Sequence, residues 1–395
     1  MTTKFEAFWA RLTGGHALIH ILTHPLESYR HWLMTVFAVI SGLMFPSPLP
    51  KPYSVATWHR SGLYAPSISG KQALRLAQSP DPQTRDLAQI FIAMEQAYGG
   101  RKAIATTPDI GVAALGHSCD TDTNRPARAF ACYWLGILRS QGGEHDPALI
   151  DYGAAQTAFA KGIEAGSAQS AFQAGIMLKF HHYGPTLPIM RQALAHAQAA
   201  IREPVRPGMP TGQALIRLSA AMGYHTGCFQ YGLDLIADYA RLRHTHPAAA
   251  RRLHQRGARW MVTAATLPYP SESAERYVGD AWANGYWHLQ DSKRKAKIWY
   301  TKALHNGSPR AAIALAMLYG AREITPPSAP SAPVRAYADA AIAAALTQPG
   351  RSVHQRAKRV LSMVGAPLDA AQRHLAMAYA HRLVAQYPRL REAIE

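Results

Sequence analysis

The chain has 395 residues, room for two ordinary domains or one long repeat array, and 48% of them are hydrophobic, which excludes a disordered polypeptide. Lys and Arg number 42 against 24 Asp and Glu, a formal charge of +18, so the partners drawn in over a Debye length are acidic: phosphate polymers, anionic lipid surfaces or acidic protein segments. The three cysteines are too few and too scattered for a disulfide framework or a four-ligand zinc site.

In chain order, Phe5 to His24 is a helical candidate interrupted by Gly14 and Gly15 and closed by Pro25. Next comes Trp32 to Phe45, WLMTVFAVISGLMF, without a charged residue. As a helix it spans about 21 Å, short of the roughly 30 Å hydrocarbon layer. A short transmembrane anchor, a secretory signal and a buried or interfacial helix are all open to it. Ser54-Val55-Ala56 offers a small-x-small cleavage pattern, although well past the apolar run. Flanking Lys and Arg lean slightly toward an exported, periplasmic C-terminal part. Pro46, Pro48, Pro50 and Pro52 then mark an extended linker reaching residue 70.

From there the pattern is helical. Lys71 to Gln78 and Pro82 to Tyr98 form a first pair, with Asp81 as N-cap, Pro82 at the first helical position and Gly99-Gly100 as the stop. A like start is expected at Asp146-Pro147 and at Ser308-Pro309, and Arg128 to Leu138 reads as the second helix of a unit. Three stretches then share one layout: Phe159–Leu178, Ile216–Leu235 and Tyr300–Tyr319. Counted from each first residue, Gly falls at +7 (Gly166, Gly223, Gly307) and small residues at +12 (Ala171, Cys228, Ala312) and +16 (Gly175, Gly232, Ala316). The first position suits a left-handed helix exit, and the other two share one face of the next helix, where small side chains admit close packing. These are helix–turn–helix units that bury their faces by stacking on neighbours.

The echoes start at unequal steps, so further helices are expected between them, at Ile189 to Ile201, Ala250 to Ala265 and Glu272 to Asn284. A Pro-rich stretch, Thr325 to Pro333, separates a last group at Val334 to Leu346, Val353 to Val364 and Asp369 to Gln386. The expected class is all-α: an α-solenoid of stacked antiparallel helix pairs with an N-terminal membrane-anchor or signal helix. Its divisions are 1–50, a linker 51–70, a repeat domain 71–324 and a helical cap 334–395.

Ala296 to Gly320, AKIWYTKALHNGSPRAAIALAMLYG, resembles the Sel1-like repeat, a relative of the tetratricopeptide repeat. The likeness rests on Trp299, Tyr300, Lys302, Ala303, Gly307, Ala311-Ala312 and Leu318-Tyr319-Gly320, with a partial match from Tyr133 to Ala148. It extends over about half of the chain, in one well-kept unit; after Gly320 a Pro-rich linker stands where the family has a Gly-rich connector. The resemblance implies an α-solenoid that binds proteins, often as an adaptor in envelope, secretion or signalling assemblies, and it implies no catalytic residue.

Chemical motifs are sparse. His16, His20 and His24 would line one helix face and could offer imidazoles to zinc, copper or haem, but the further ligands such a site needs are not evident, so no metal or cofactor is expected. Gly116-His117-Ser118-Cys119-Asp120 starts like a nucleophile elbow, yet Asp120 replaces the closing Gly; a polar loop capping the next helix fits better. No enzyme activity is expected. Cys228, at a packing position, reads as a buried small hydrophobe, and whether Cys119 and Cys132 pair stays open.

The strongest interaction signal is a basic block. No acidic residue lies between Asp238 and Glu272, where Arg241, Arg243, Arg251, Arg252, Arg256 and Arg259 fall. Arg252, Arg256 and Arg259 form one helix stripe beside Leu253, Gly257 and Trp260. Arginine suits bidentate capture of carboxylate or phosphate. Further clusters at Lys293, Arg294, Lys295, Lys297 and at Arg351, Arg356, Lys358, Arg359 would extend a basic surface if stacking aligns them. The expected role is a membrane-associated scaffold, held through residues 32–45, that docks protein partners with acidic segments. Nucleic acid or anionic lipid is the alternative partner, and the oligomeric state is not legible.

Overall fold

The computed structural model divides the chain into two compact units, Met1–Pro50 and Lys51–Glu395. It describes residues 70–98, 104–142, 147–180, 185–201, 208–267, 270–286, 292–320, 331–387, 390–391 and 394, all in the second unit. The apolar run 32–45, the histidines His16, His20 and His24, the Gly99-Gly100 stop, Asp146 and most of both Pro-rich stretches lie outside them. Among the described residues no helix is long and apolar enough to cross a membrane.

Those residues form sixteen α-helices and no strand. In chain order they are α1 (Gly70–Leu76), α2 (Pro82–Tyr98), α3 (Pro108–Thr121), α4 (Arg125–Gln141), α5 (Tyr152–Glu164), α6 (Ala168–Phe180), α7 (Pro188–Ala200) and α8 (Thr211–Ala221). They continue with α9 (His225–Leu242), α10 (Pro247–Thr266), α11 (Glu272–Asn284), α12 (Lys293–His305), α13 (Pro309–Gly320), α14 (Ala332–Ala345), α15 (Ser352–Gly365) and α16 (Ala370–Gln386). Each helix packs on its near neighbours along the chain, which is an α-solenoid.

The turn inside each echoed unit follows from one residue. Gly166, Gly223 and Gly307 have φ of 95°, 80° and 87°, a region other residues avoid. At each, the glycine N–H donates back three residues and the following N–H donates five residues back, as in Ser308 N to Ala303 O at 2.9 Å. This Schellman geometry satisfies helix-end carbonyls and reverses the chain. The next helix then starts on a hydroxyl cap where one is present: Ser170 N donates to Ser167 Oγ at 3.0 Å and Ala311 N to Ser308 Oγ at 3.4 Å. Asp81 caps α2 by accepting from Thr84 N at 2.9 Å, as its sequence position predicts.

The most extensive joints lie between units rather than within them: α2 on α3, α4 on α5, α6 on α8, α9 on α10, α11 on α12 and α13 on α14. The +16 residues sit in these joints. A Cβ at Gly175 would stand 2.8 Å from Gly212 O on α8, and one at Gly257 on α10 would stand 2.9 Å from Gly232 O on α9. Where the small residue meets an aromatic instead, the ring fills the space: Phe159 lies on Gly136 and Tyr300 on Gly279. Fully burying Phe159 contributes about 2 kcal/mol. The unequal steps between echoes now have causes: α7 is inserted between α6 and α8, and α10 with α11 makes a further pair between α9 and α12.

Two expectations are corrected. Gly116 to Asp120 is not a loop but the interior of α3, begun by Pro108 in its first turn with Asp109 beside it. The helix expected at Asp146-Pro147 begins instead after Asp151, whose carboxylate accepts from Ala154 N at 2.9 Å; Pro147–Leu149 is a single 3-10 turn. Cys119 of α3 and Cys132 of α4 are joined by a disulfide. The last three helices share one apolar core with α12 and α13, from Ala296 to Leu390.

Candidate functional site

The basic block falls on the α9–α10 joint, the most extensive one among the described helices. Pro247 in the first turn of α10 starts a twenty-residue helix that runs through Gly257 with no interior proline. Its face toward α9 carries the buried Ala250, Gly257, Met261 and Ala264, with His254 stacked on Tyr239 at 4.4 Å. Trp260 meets Tyr231 of α9 edge-on at 5.6 Å.

At about 100° per residue, Arg252, Arg256 and Arg259 lie on the flank of α10 shared with Leu253 and Trp260. Arg252 and Arg259 are exposed and Arg256 is half-buried. Arg241, at the end of α9, donates to Asp238 at 2.8 Å, and Arg243 beyond it donates from Nε to His244 Nε2 at 3.0 Å. The sequence-predicted residues therefore split in two: Arg241 and Arg243 are paired with neighbours, Arg241 while still 74% exposed, and the α10 stripe runs from the exposed Arg252 and Arg259 to the half-buried Arg256. In the other basic clusters, three side chains are engaged locally. Lys295 lies over the Trp282 ring at 3.9 Å, Lys297 over Tyr319 at 4.7 Å, and Arg356 reaches Met317 Sδ at 3.9 Å.

Beside the stripe is a feature the sequence does not announce. A cavity of about 240 Å³ is lined by Gly208, Met209 and Pro210 before α8, Gln213 of α8, Tyr231, Leu235 and Asp238 of α9, and Leu253 of α10. Tyr231 is 1% exposed, and its hydroxyl has no hydrogen-bond partner. Nearby, Lys179 of α6 pairs with the buried Asp234 of α9, which Gln230 also contacts at 3.1 Å. Burial raises the Asp234 carboxyl above its ordinary range, with Lys179 pulling the other way.

Little of this is catalytic chemistry. Ser118 sits within α3, and no group of three or more metal-ligating side chains occurs among the described residues. Cys228 is fully buried, and burial pushes its thiol up to about 12, so it stays protonated as the inert packing residue its position predicts.

No protein-family profile matches the chain, and no curated protein matches it. Among solved structures, the chain is similar to a protective antigen of uropathogenic Escherichia coli strains displaying an SLR fold, at 15% identity over 86% of this chain and 76% of that one, with a TM-score of 0.40. It is also similar to a Sel1 repeat protein from Oxalobacter formigenes, at 15% identity over 79% of this chain and 98% of that one, with a TM-score of 0.44.

Proposed function

We propose that the chain is a non-enzymatic, membrane-associated scaffold whose α9–α10 joint docks acidic segments of partner proteins. One observation carries this reading: α10 carries exposed Arg252 and Arg259 with half-buried Arg256 on one flank, in a stretch with no acidic residue from 239 to 271. Solvated arginines are poor stabilisers of their own fold, and their fork geometry fits carboxylates. A pull-down from native membranes tests it. Capture of partners by the natural chain and its loss on changing Arg252, Arg256 and Arg259 to Glu is the expected result; the same partners on both proteins would overturn it. Nucleic acid or anionic vesicles competing at a steep salt dependence would instead place the charge in the service of phosphate.

The repeat unit works outside the cytoplasm in this proposal, anchored through residues 32–45. The Cys119–Cys132 disulfide supports export, because such bonds persist in oxidising compartments. Alkylation of the chain in intact cells should find both thiols blocked; free thiols at both positions would contradict the export.

A further inference from the structure

The helix α12 carries charge of one sign only. No acidic residue occurs from 292 to 322, while Lys293, Arg294, Lys295, Lys297 and Lys302 all belong to α12. Its inner face is the buried Ala296, Tyr300, Ala303 and Leu304. At about 100° per residue, Arg294, Ile298 and Lys302 lie on the opposite face, with Lys295 beside them. All four are exposed, Ile298 by 51%. Among the described residues, Arg294, Lys295 and Lys302 pair with no carboxylate. Lys295 lies instead over the ring of Trp282 on α11 at 3.9 Å, and Lys302 over Trp299 at 4.4 Å. The outer face of α12 is thus an exposed aliphatic side chain among unneutralised cations, with two half-buried indoles at its margin.

Each of these parts has a use at one kind of surface. Cations near anionic headgroups add about fivefold in affinity apiece. An aliphatic tip gains by entering the acyl boundary, and indoles and long Lys stems settle at headgroup level. A duplex nucleic acid would engage the cations alone and leave Ile298 in water. We propose that the outer face of α12 rests on an anionic phospholipid surface, with Arg294, Lys295 and Lys302 on the headgroup phosphates and Ile298 at the acyl boundary. This face is on a different helix from the α10 stripe, and it operates whether or not that stripe docks a partner.

A polarity-sensitive fluorophore on Ile298→Cys of the full chain tests this, and labelling is selective because Cys119 and Cys132 are bonded and Cys228 is buried. Vesicles of phosphatidylcholine with about one third phosphatidylglycerol should shift its emission to the blue, and phosphatidylcholine alone should not. The same label on Ile110→Cys of α3, where the natural side chain is 60% exposed, should stay unshifted. Adding Arg294→Gln, Lys295→Gln and Lys302→Gln should raise the lipid needed for half the shift at least about tenfold. Changing Arg252, Arg256 and Arg259 to Glu should leave it as it was; these are surface positions whose substitution keeps the fold. No shift at 298, or equal shifts with both lipids or at both positions, would overturn the α12 surface. So would a shift that depends on the α10 arginines and not on the α12 cations. A matching shift with duplex DNA in place of vesicles would give the cations to nucleic acid and overturn the lipid.

Discussion

The α9–α10 joint and the α13–α14 joint follow the same stacking rule and end differently. Each places a small +16 residue in the contact: Gly232 beneath α10, and Ala316 fully buried in the core that α13 shares with α14. Each also buries a polar side chain. At α13–α14 that side chain is Asp339, 3% exposed and facing Arg335 and Lys297, which themselves lie over Tyr319 at 5.8 Å and 4.7 Å. At α9–α10 it is Tyr231, whose hydroxyl meets nothing while a cavity stands beside it. One joint sets its buried carboxyl among cations, and the other leaves its buried hydroxyl without a hydrogen bond. A repeat array can therefore keep a common packing geometry and still differ, joint by joint, in how its buried polar groups are met.

The difference can be broken first at the closed joint. Burial raises the Asp339 carboxyl to about 8, against the opposing charges of Arg335 and Lys297. The folded chain thus holds a proton there that the unfolded chain has released. Its contribution to stability is fully present below the ordinary carboxylate value of 3.8 and is lost as pH rises to about 8. Relative to Asp339→Asn, the natural chain should lose up to about 1.4 kcal/mol per pH unit across that window in denaturant titrations. Parallel pH profiles for the two proteins would show that Asp339 is charged in the fold.

The open joint should break sterically. Gly257→Val introduces atoms where even a Cβ lies 2.9 Å from Gly232 O and Ile236 Cγ1, so it should cost about 3 kcal/mol of stability. Gly116→Ala in α3, where an added Cβ meets nothing within 4 Å, should instead stabilise by about 1 kcal/mol through helix propensity. Smallest in size is the change at the orphan hydroxyl itself. Tyr231→Phe should hold stability or raise it by about 1 kcal/mol, because it removes an unsatisfied buried group. A loss of that size on thermal melting would mean the hydroxyl has a structural partner.

Much of the fold was legible because it rests on local chemistry. The left-handed glycines Gly166, Gly223 and Gly307, the cap at Asp81 and the helices after residue 331 each depend on residues a turn apart. The arginine stripe was legible for the same reason, since helical spacing alone places Arg252, Arg256 and Arg259 together. Local cues misled at 116–120, where Gly, Ser and Asp suggest a loop and a proline several residues earlier starts a helix through them. They were silent on the cavity, whose walls come from the segment before α8, from α9 and from α10, brought together only by stacking. The placement of Lys295 and Lys297 over aromatic rings was equally hidden, because those ring partners lie on other helices, whereas the Asp238–Arg241 pair, three residues apart on α9, was open to helical spacing.

The account stands or falls on whether the α10 stripe is a docking face. Titrating an acidic peptide into the natural chain and into the Arg252→Glu, Arg256→Glu, Arg259→Glu protein, at low and at physiological salt, measures this directly. Three exposed or half-exposed substitutions should leave thermal stability within about 0.5 kcal/mol apiece, so binding and folding are read separately. The account predicts binding to the natural chain that weakens with salt and is abolished in the reversed protein. Equal affinity of the peptide for both proteins, with both still folded, would contradict it.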